Sequence, residues 1–264
     1  MKTADNESFI LKNFRMASTR ETLILGNIFN CSKIRFSLVN CFKRKHWINS
    51  SAKNAPPPDF YNNKLKMMMD VMRIDDNAYV DKNGKVQNPI YKKENELLKS
   101  YFGKDYKKER DDISCFVVAS SGLPTHQDHN FTRYFDNFKR VFEHHNKKVA
   151  NYKKNHPGYK TIFFVFDEST AYIEAIDKEH VRENPQKGEM SCGKPHLACC
   201  DKRFLDIIIN SEVDYVIWYM PYKLITSINE KMIPLPKVAI IERSKIPQKA
   251  FQIYNRDLMI SSEV

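Results

Sequence analysis

The chain has 264 residues, with 43 Lys and Arg against 32 Asp and Glu and a net charge of +11. Hydrophobic residues make up 42% of it and aromatic residues 12%, which excludes a disordered, collagen-like or coiled-coil chain. The apolar runs are far shorter than the roughly 20 residues that cross a bilayer, and the N-terminal residues lack a signal-peptide pattern. We therefore expect a cytoplasmic protein without membrane contact, whose cysteines are mostly thiols.

Residues 1–50 are predicted to be a helical segment that packs on the main domain. A Ser-Thr-Arg-Glu stretch offers a helix cap, and apolar residues then recur near helical spacing. Lys43, Arg44 and Lys45 lie near the end of this segment, where cations complement the carboxyl end of a helix. A solvated helix end explains these cations, and a surface that faces nucleic acid is the alternative.

Residues 51–264 are predicted to form the main α/β domain. Three consecutive prolines at 56–58 force an extended path at its start. The methionine-rich stretch 64–74 is predicted to be a strand, with a helix as the alternative. The remaining elements are apolar runs at 113–119, 159–166, 213–220 and 238–241, and helices at 94–101, 130–155 and 201–210.

Apolar runs with little alternation, separated by helices, are typical of strands that are buried on both faces. Such strands occur where helices cover both sides of a sheet. The sequence therefore predicts an α/β fold with a mixed, mostly parallel central sheet flanked by helices, beside the N-terminal helical segment.

The first candidate site combines Pro58-Asp59 with Asp70 on the predicted strand. Strand alternation puts Asp70 and position 72 on one face, and Met72 stands there; Lys66 shares that face at a longer reach. A phosphodiester needs its charge neutralised and its nucleophile activated, and a divalent ion on carboxylates does both. In the alternative, Asp59 turns the chain after the prolines and Asp70 is a surface position.

This arrangement resembles the PD-(D/E)xK nuclease superfamily, in which two carboxylates hold Mg²⁺ and a lysine two residues after the second acid positions water. The resemblance implies that Asp59 and Asp70 are catalytic residues and ligands of Mg²⁺ or Mn²⁺. Lys66 is the candidate lysine, because Met72 occupies the family position. Glu21 could complete the acidic cluster, since this superfamily often places an acid on its first helix.

Asp167 and Glu168 follow an apolar run and form a second candidate site with His126 and His129. Ligands of open α/β sheets bind outside the carboxyl ends of the strands, where both segments are predicted to lie. Such groups suit metal or acid/base chemistry on a small molecule. In the alternative, Asp167 caps the next helix and the histidines are solvated. A P-loop NTPase is not expected, because proline follows the GxxxxGK match where Ser or Thr should bind Mg²⁺.

Four zinc-ligand types occur within a short stretch: Cys192, His196, Cys199 and Cys200. Thiolate and imidazole are the ligands of structural zinc. However, the stretch has no CxxC pair, and adjacent cysteines bind one ion poorly. Structural zinc is therefore not expected, and these cysteines are interpreted as loop thiols.

Clusters of Lys and Arg interleaved with aromatic residues suit a nucleic-acid partner, because cations release counterions from phosphates and aromatics stack on bases. Lys43, Arg44, Lys45 and Arg73 are the candidate contacts. The leading hypothesis is a metal-dependent nuclease or nuclease-like protein that hydrolyses phosphodiester bonds. The alternative, which Met72 favours, is a non-catalytic α/β protein of a phage or mobile element that binds nucleic acid or a protein.

Overall fold

The computed structural model describes residues 47–50, 56–103, 129–178, 181, 193–226, 232–246 and 251–262. Some of the predicted features lie outside the described residues. They are residues 1–46 of the predicted helical segment, with Glu21, Lys43, Arg44 and Lys45, the apolar run at 113–119, His126, and Cys192. At the end of that predicted segment, Ile48–Asn49 form a strand instead of a helix, because they pair with Phe60 and Tyr61.

The described chain contains four α-helices and thirteen strands. The helices are α1 (Pro89–Phe102), α2 (Phe131–Asn146), α3 (Val149–Asn155) and α4 (Lys202–Ile209). The strands are β1 (Ile48–Asn49), β2 (Phe60–Asn62), β3 (Met67–Ile74), β4 (Tyr79–Val80), β5 (Val86–Gln87), β6 (Lys160–Asp167), β7 (Tyr172–Ala175), β8 (Gly193–Pro195), β9 (Tyr215–Tyr219), β10 (Leu224–Thr226), β11 (Met232–Pro234), β12 (Val238–Glu242) and β13 (Met259–Ser261).

The central sheet has six strands in the order β1-β2-β3-β6-β9-β12. The prediction of an α/β fold with a mixed sheet is confirmed, but the sheet is not mostly parallel. Only the pairings β3–β6 and β6–β9 are parallel, and the other three are antiparallel. The physical reason is connection length: a tight turn joins β2 to β3, and such a turn can join only antiparallel neighbours.

Helical periodicity located the main helix but missed an interruption. The predicted helix at 130–155 is two helices, α2 and α3, separated at Lys147 and Lys148. Asn130 caps α2, because its side chain accepts a hydrogen bond from the N–H of Arg133. The break contains neither proline nor glycine, so the sequence carries no signal for it.

The central strands bury both of their faces, as their continuous apolar runs predict. Phe163 and Val165 of β6 lie on the face covered by α2, α3 and α4, and Phe164 lies on the opposite face. On the helical face, the Phe138 ring stacks on Trp218 with centroids 4.8 Å apart. Among the described helices, none has the length and apolar character needed to span a membrane.

Candidate active site

The two acidic residues of the first candidate site lie on neighbouring segments, Asp59 directly before β2 and Asp70 in β3. The β2–β3 register pairs Phe60 with Met69, and its continuation by one pair places Asp59 opposite Asp70 on the same face. Cβ atoms at opposed positions are about 4.5–5.5 Å apart. Asp59 Oδ2 accepts a hydrogen bond of 2.7 Å from the N–H of Val71. Asp59 therefore completes the backbone pairing at the end of β2.

Asp70 is buried beneath the helices and binds two of their side chains. Its side chain points to the face that α2 and α3 cover, and only 4% of the residue is exposed. Nδ1 of His145, from the last turn of α2, lies 2.5 Å from Asp70 Oδ2. The hydroxyl of Tyr152, from α3, donates to the same oxygen at 2.8 Å. The Asp70–His145 couple, held by Tyr152, is thus the polar centre of this helical face.

The electrostatics of the couple fix which groups donate. Burial, followed by the charges of Asp70 and Asp59, raises the pKa of Tyr152 above its ordinary value, so its hydroxyl keeps its proton and donates. A carboxylate accepts hydrogen bonds, so the His145 tautomer that matches this contact carries its proton on Nδ1 and leaves Nε2 as an acceptor. The His145 side chain is 19% exposed. The His145 imidazole therefore lies between the buried Asp70 carboxylate and the solvent.

Sequence reasoning missed both partners of Asp70. His145 and Tyr152 are 75 and 82 residues away from Asp70 along the chain. A signal for His145 did exist, because it follows Phe138 by seven positions and Phe142 by three, on the stripe that faces the core. A titratable residue on an apolar stripe must find a polar partner inside the fold.

Lys66 does not approach the carboxylates. It lies in the turn before β3 with a positive φ of 52°, and its ammonium is 5.1 Å from the ring centroid of Tyr159. Met72 is buried in the core with 2% exposure. Arg73 lies on the other face of β3, where it makes two hydrogen bonds to Glu168 at 2.6 and 2.8 Å.

In this arrangement one oxygen of each of the two carboxylates already accepts hydrogen bonds. Asp70 Oδ2 already accepts two hydrogen bonds, and Asp59 Oδ2 accepts one from the backbone. Within the part of the chain that the structure describes, no three His, Cys, Asp or Glu side chains are grouped so that they could hold a metal. Bound Mg²⁺ or Mn²⁺ remains a prediction for these two carboxylates.

The second candidate site is instead dominated by a buried ion pair. Asp167 is fully buried at the carboxyl end of β6. It accepts hydrogen bonds from the Tyr134 hydroxyl at 2.5 Å, from Trp218 Nε1 at 2.8 Å, and from the N–H and hydroxyl of Ser169. Lys223 Nζ lies 3.5 Å away, and its residue is 4% exposed. The carboxylate is therefore charge-balanced within the core.

The remaining residues of this second group point elsewhere. His129 Nδ1 lies 3.2 Å from Asp76 Oδ2, an oxygen that also accepts from the Tyr172 hydroxyl at 2.7 Å. Glu168 is turned outward to Arg73. The helix expected after Asp167 is strand β7 instead. The structure thus does not bring Asp167, Glu168 and His129 together. The sequence carries no motif that predicts their partners Asp76 and Lys223.

The cysteine-rich stretch is also part of the core. His196 Nε2 lies 2.9 Å from Asp201 Oδ2, and both side chains are 1% exposed. Burial lowers the pKa of His196, against the opposing effect of the Asp201 carboxylate. The thiols of Cys199 and Cys200 are buried with their sulfurs 4.0 Å apart. The two thiols contact each other, and buried free cysteines of this kind pack as small apolar residues.

Positive charge is concentrated on the segment of the chain that supplies both partners of Asp70. Residues 131–155 carry seven Lys and Arg against two Asp and Glu. We call six of these seven cations, all exposed or half-exposed, the basic face: Lys139, Arg140, Lys147, Lys148, Lys153 and Lys154. The charge of Lys148, with smaller effects of burial and of neighbouring cations, lowers the pKa of the exposed His144. The potential at this end of α2 is therefore positive.

Comparison with known proteins leaves the residues as the basis of the functional argument. No protein-family model matches the chain, no curated protein matches it, and no solved structure matches it.

Proposed function

We propose that this protein binds nucleic acid on its basic face and cleaves phosphodiester bonds with the Asp70–His145 couple. The observation that carries the proposal is the 2.5 Å contact between His145 Nδ1 and the buried Asp70 carboxylate. A buried carboxylate that holds one imidazole nitrogen fixes the orientation and the tautomer of the ring, which leaves the other nitrogen as a proton acceptor. His145 Nε2 is thus the group that would take a proton from an attacking oxygen.

The basic face supports the same proposal through its charge. Each phosphate that a Lys or Arg neutralises releases counterions, which supplies most of the sequence-independent affinity for nucleic acid. Lys147 and Lys148 lie two and three positions after His145, so we expect a strand bound to them to run past the imidazole. Charge there would also stabilise the extra negative charge of a phosphorane-like transition state.

The cleavage assay compares labelled single- and double-stranded RNA and DNA, each with Mg²⁺, Mn²⁺ or EDTA. We expect His145→Gln and Asp70→Asn to lower the cleavage rate by roughly 10²–10⁴-fold, the usual contribution of a general base. Dependence of cleavage on the divalent ion would support the predicted metal at Asp59 and Asp70.

The matched control is His144→Gln, one position away on α2. His144 is exposed, and its lowered pKa keeps it neutral at pH 7.5, so the substitution leaves the charge of the basic face unchanged. Its cleavage rate should stay within twofold of the original. Circular dichroism then tests whether each variant is folded. A folded His145→Gln or Asp70→Asn protein that cleaves at the full rate would refute the assignment of the couple.

Non-catalytic binding is the second candidate function, and the buried Met72 at the lysine position of the resembled family favours it. Its signature would be binding without cleavage. For either function, Lys139→Gln with Lys147→Gln should reduce the slope of log affinity against log salt by about 1.4 for a single strand. The control is the pair Lys92→Gln and Lys93→Gln on the exposed side of α1, which should leave the slope unchanged. Equal slopes for both pairs would exclude the basic face as the binding surface.

A further inference from the structure

The Asp70–His145 couple also bears on which nucleic acid is cut. We infer that the substrate is RNA and that His145 activates the 2′-hydroxyl of the strand itself, so that cleavage is a transesterification. This inference rests on the proposed function and names its substrate class and reaction.

The first argument comes from how the carboxylates are used. Hydrolysis of DNA needs a water nucleophile and neutralised phosphate charge, which two carboxylates supply by sharing a divalent ion. Here Asp70 Oδ2 holds His145 and Tyr152, and Asp59 Oδ2 holds the Val71 N–H. Asp70 therefore orients the imidazole of His145, and the site supplies an oriented general base.

The second argument concerns what such a base can act on. The His145 side chain is only 19% exposed, so solvent has limited access to Nε2. We therefore expect Nε2 to accept a proton from a group that a bound strand places beside it. RNA carries a 2′-hydroxyl next to every phosphodiester bond. Because this nucleophile belongs to the same strand, the reaction avoids the entropic cost of binding and orienting a separate nucleophile. DNA lacks this hydroxyl. A lone oriented base is thus matched to RNA.

The step balances without any added reactant. His145 Nε2 takes the proton of the 2′-hydroxyl while the 2′-oxygen forms a bond to phosphorus, and the bond from phosphorus to the 5′-oxygen breaks. The leaving 5′-oxygen takes a proton from water, and the imidazolium returns its proton to solvent. The products are a 2′,3′-cyclic phosphate and a 5′-hydroxyl, with no change of oxidation state. Positive charge on Lys147 and Lys148 stabilises the dianionic transition state.

The test uses the full chain in EDTA and three oligonucleotides of one sequence: RNA, DNA, and RNA with a 2′-O-methyl group at every nucleotide. We expect RNA alone to be cut, with 2′,3′-cyclic phosphate and 5′-hydroxyl ends by mass spectrometry. His145→Gln, purified identically, should lose roughly 10²–10⁴-fold in rate, and His144→Gln should retain it.

The outcomes separate this inference from the proposed function. Cleavage of DNA or of 2′-O-methyl RNA, cleavage only with a divalent ion, or products with 5′-phosphate ends would overturn the RNA transesterification and leave phosphodiester cleavage standing. Failure to cut any of the three, with and without Mg²⁺ or Mn²⁺, would overturn the proposed cleavage itself.

Discussion

Replacement of Lys223 by methionine should destabilise the fold by about 3–5 kcal/mol. Lys223 Nζ donates to Ser169 Oγ at 2.6 Å and to the Thr170 carbonyl at 2.9 Å, and it lies 3.5 Å from Asp167 Oδ2. Methionine keeps the volume of the side chain and removes its charge. Asp167 is then a buried carboxylate without its counter-ion, and loss of one partner of a buried pair costs about 3–5 kcal/mol.

A double-mutant cycle isolates the interaction from the loss of packing. Asp167→Asn keeps an oxygen acceptor for Tyr134 and Trp218 but removes the charge that Lys223 neutralises. The combination of Asp167→Asn with Lys223→Met should therefore be less destabilised than the sum of the two single variants, by about 1–3 kcal/mol.

An exposed pair provides the control for the role of burial. Lys202 Nζ lies 2.5 Å from Asp206 Oδ2, closer than Lys223 is to Asp167, but its side chains are 51% and 44% exposed. Solvent screens such a pair, so Lys202→Met should cost less than about 0.5 kcal/mol.

Urea unfolding at pH 7.5, followed by circular dichroism, gives the free energy of unfolding of each variant. Similar dependence on urea across the series shows that the unfolded states are comparable. A loss below about 1 kcal/mol in Lys223→Met, or an additive cycle, would refute the reasoning that Lys223 is the counter-ion of a buried charge.

Three further predictions concern pH and backbone packing. Burial lowers the pKa of His196, so the unfolded chain binds a proton that the folded chain does not; the free energy of unfolding should fall as pH drops below about 6.5, less steeply in His196→Gln. Burial and the Asp167 charge raise the pKa of Tyr134 well above 10.0, so spectroscopic titration should show its ionisation only with alkaline unfolding, and stability should fall above about pH 10. A Cβ at Gly193 would overlap the Glu174 carbonyl oxygen, so Gly193→Ala should lose about 1–3 kcal/mol in urea unfolding; an unchanged midpoint would contradict this packing.

The local elements followed from patterns that short stretches of sequence carry by themselves. The run at 159–166 became β6 because a strand buried on both faces needs apolar residues at every position. The three- and four-residue spacing at 130–155 became α2 and α3 because a helix turns in 3.6 residues. The direction of pairing could not be predicted in this way, because it depends on the connections between strands. In the connection between β9 and β12, the described residues form the antiparallel pair β10–β11 and no crossover helix.

The same division applies to the candidate site. Asp59 and Asp70 were identified from the sequence, because both lie in one short hairpin whose register is set locally. The partners His145 and Tyr152 were not, since they reach Asp70 only when α2 and α3 pack on β3. Sequence by itself determined the longest strands and helices, the charge and the position of the two carboxylates, which depend on neighbours along the chain. Only the tertiary structure decided which side chain meets each carboxylate, because a buried charge takes the donor that packing brings to it across many residues.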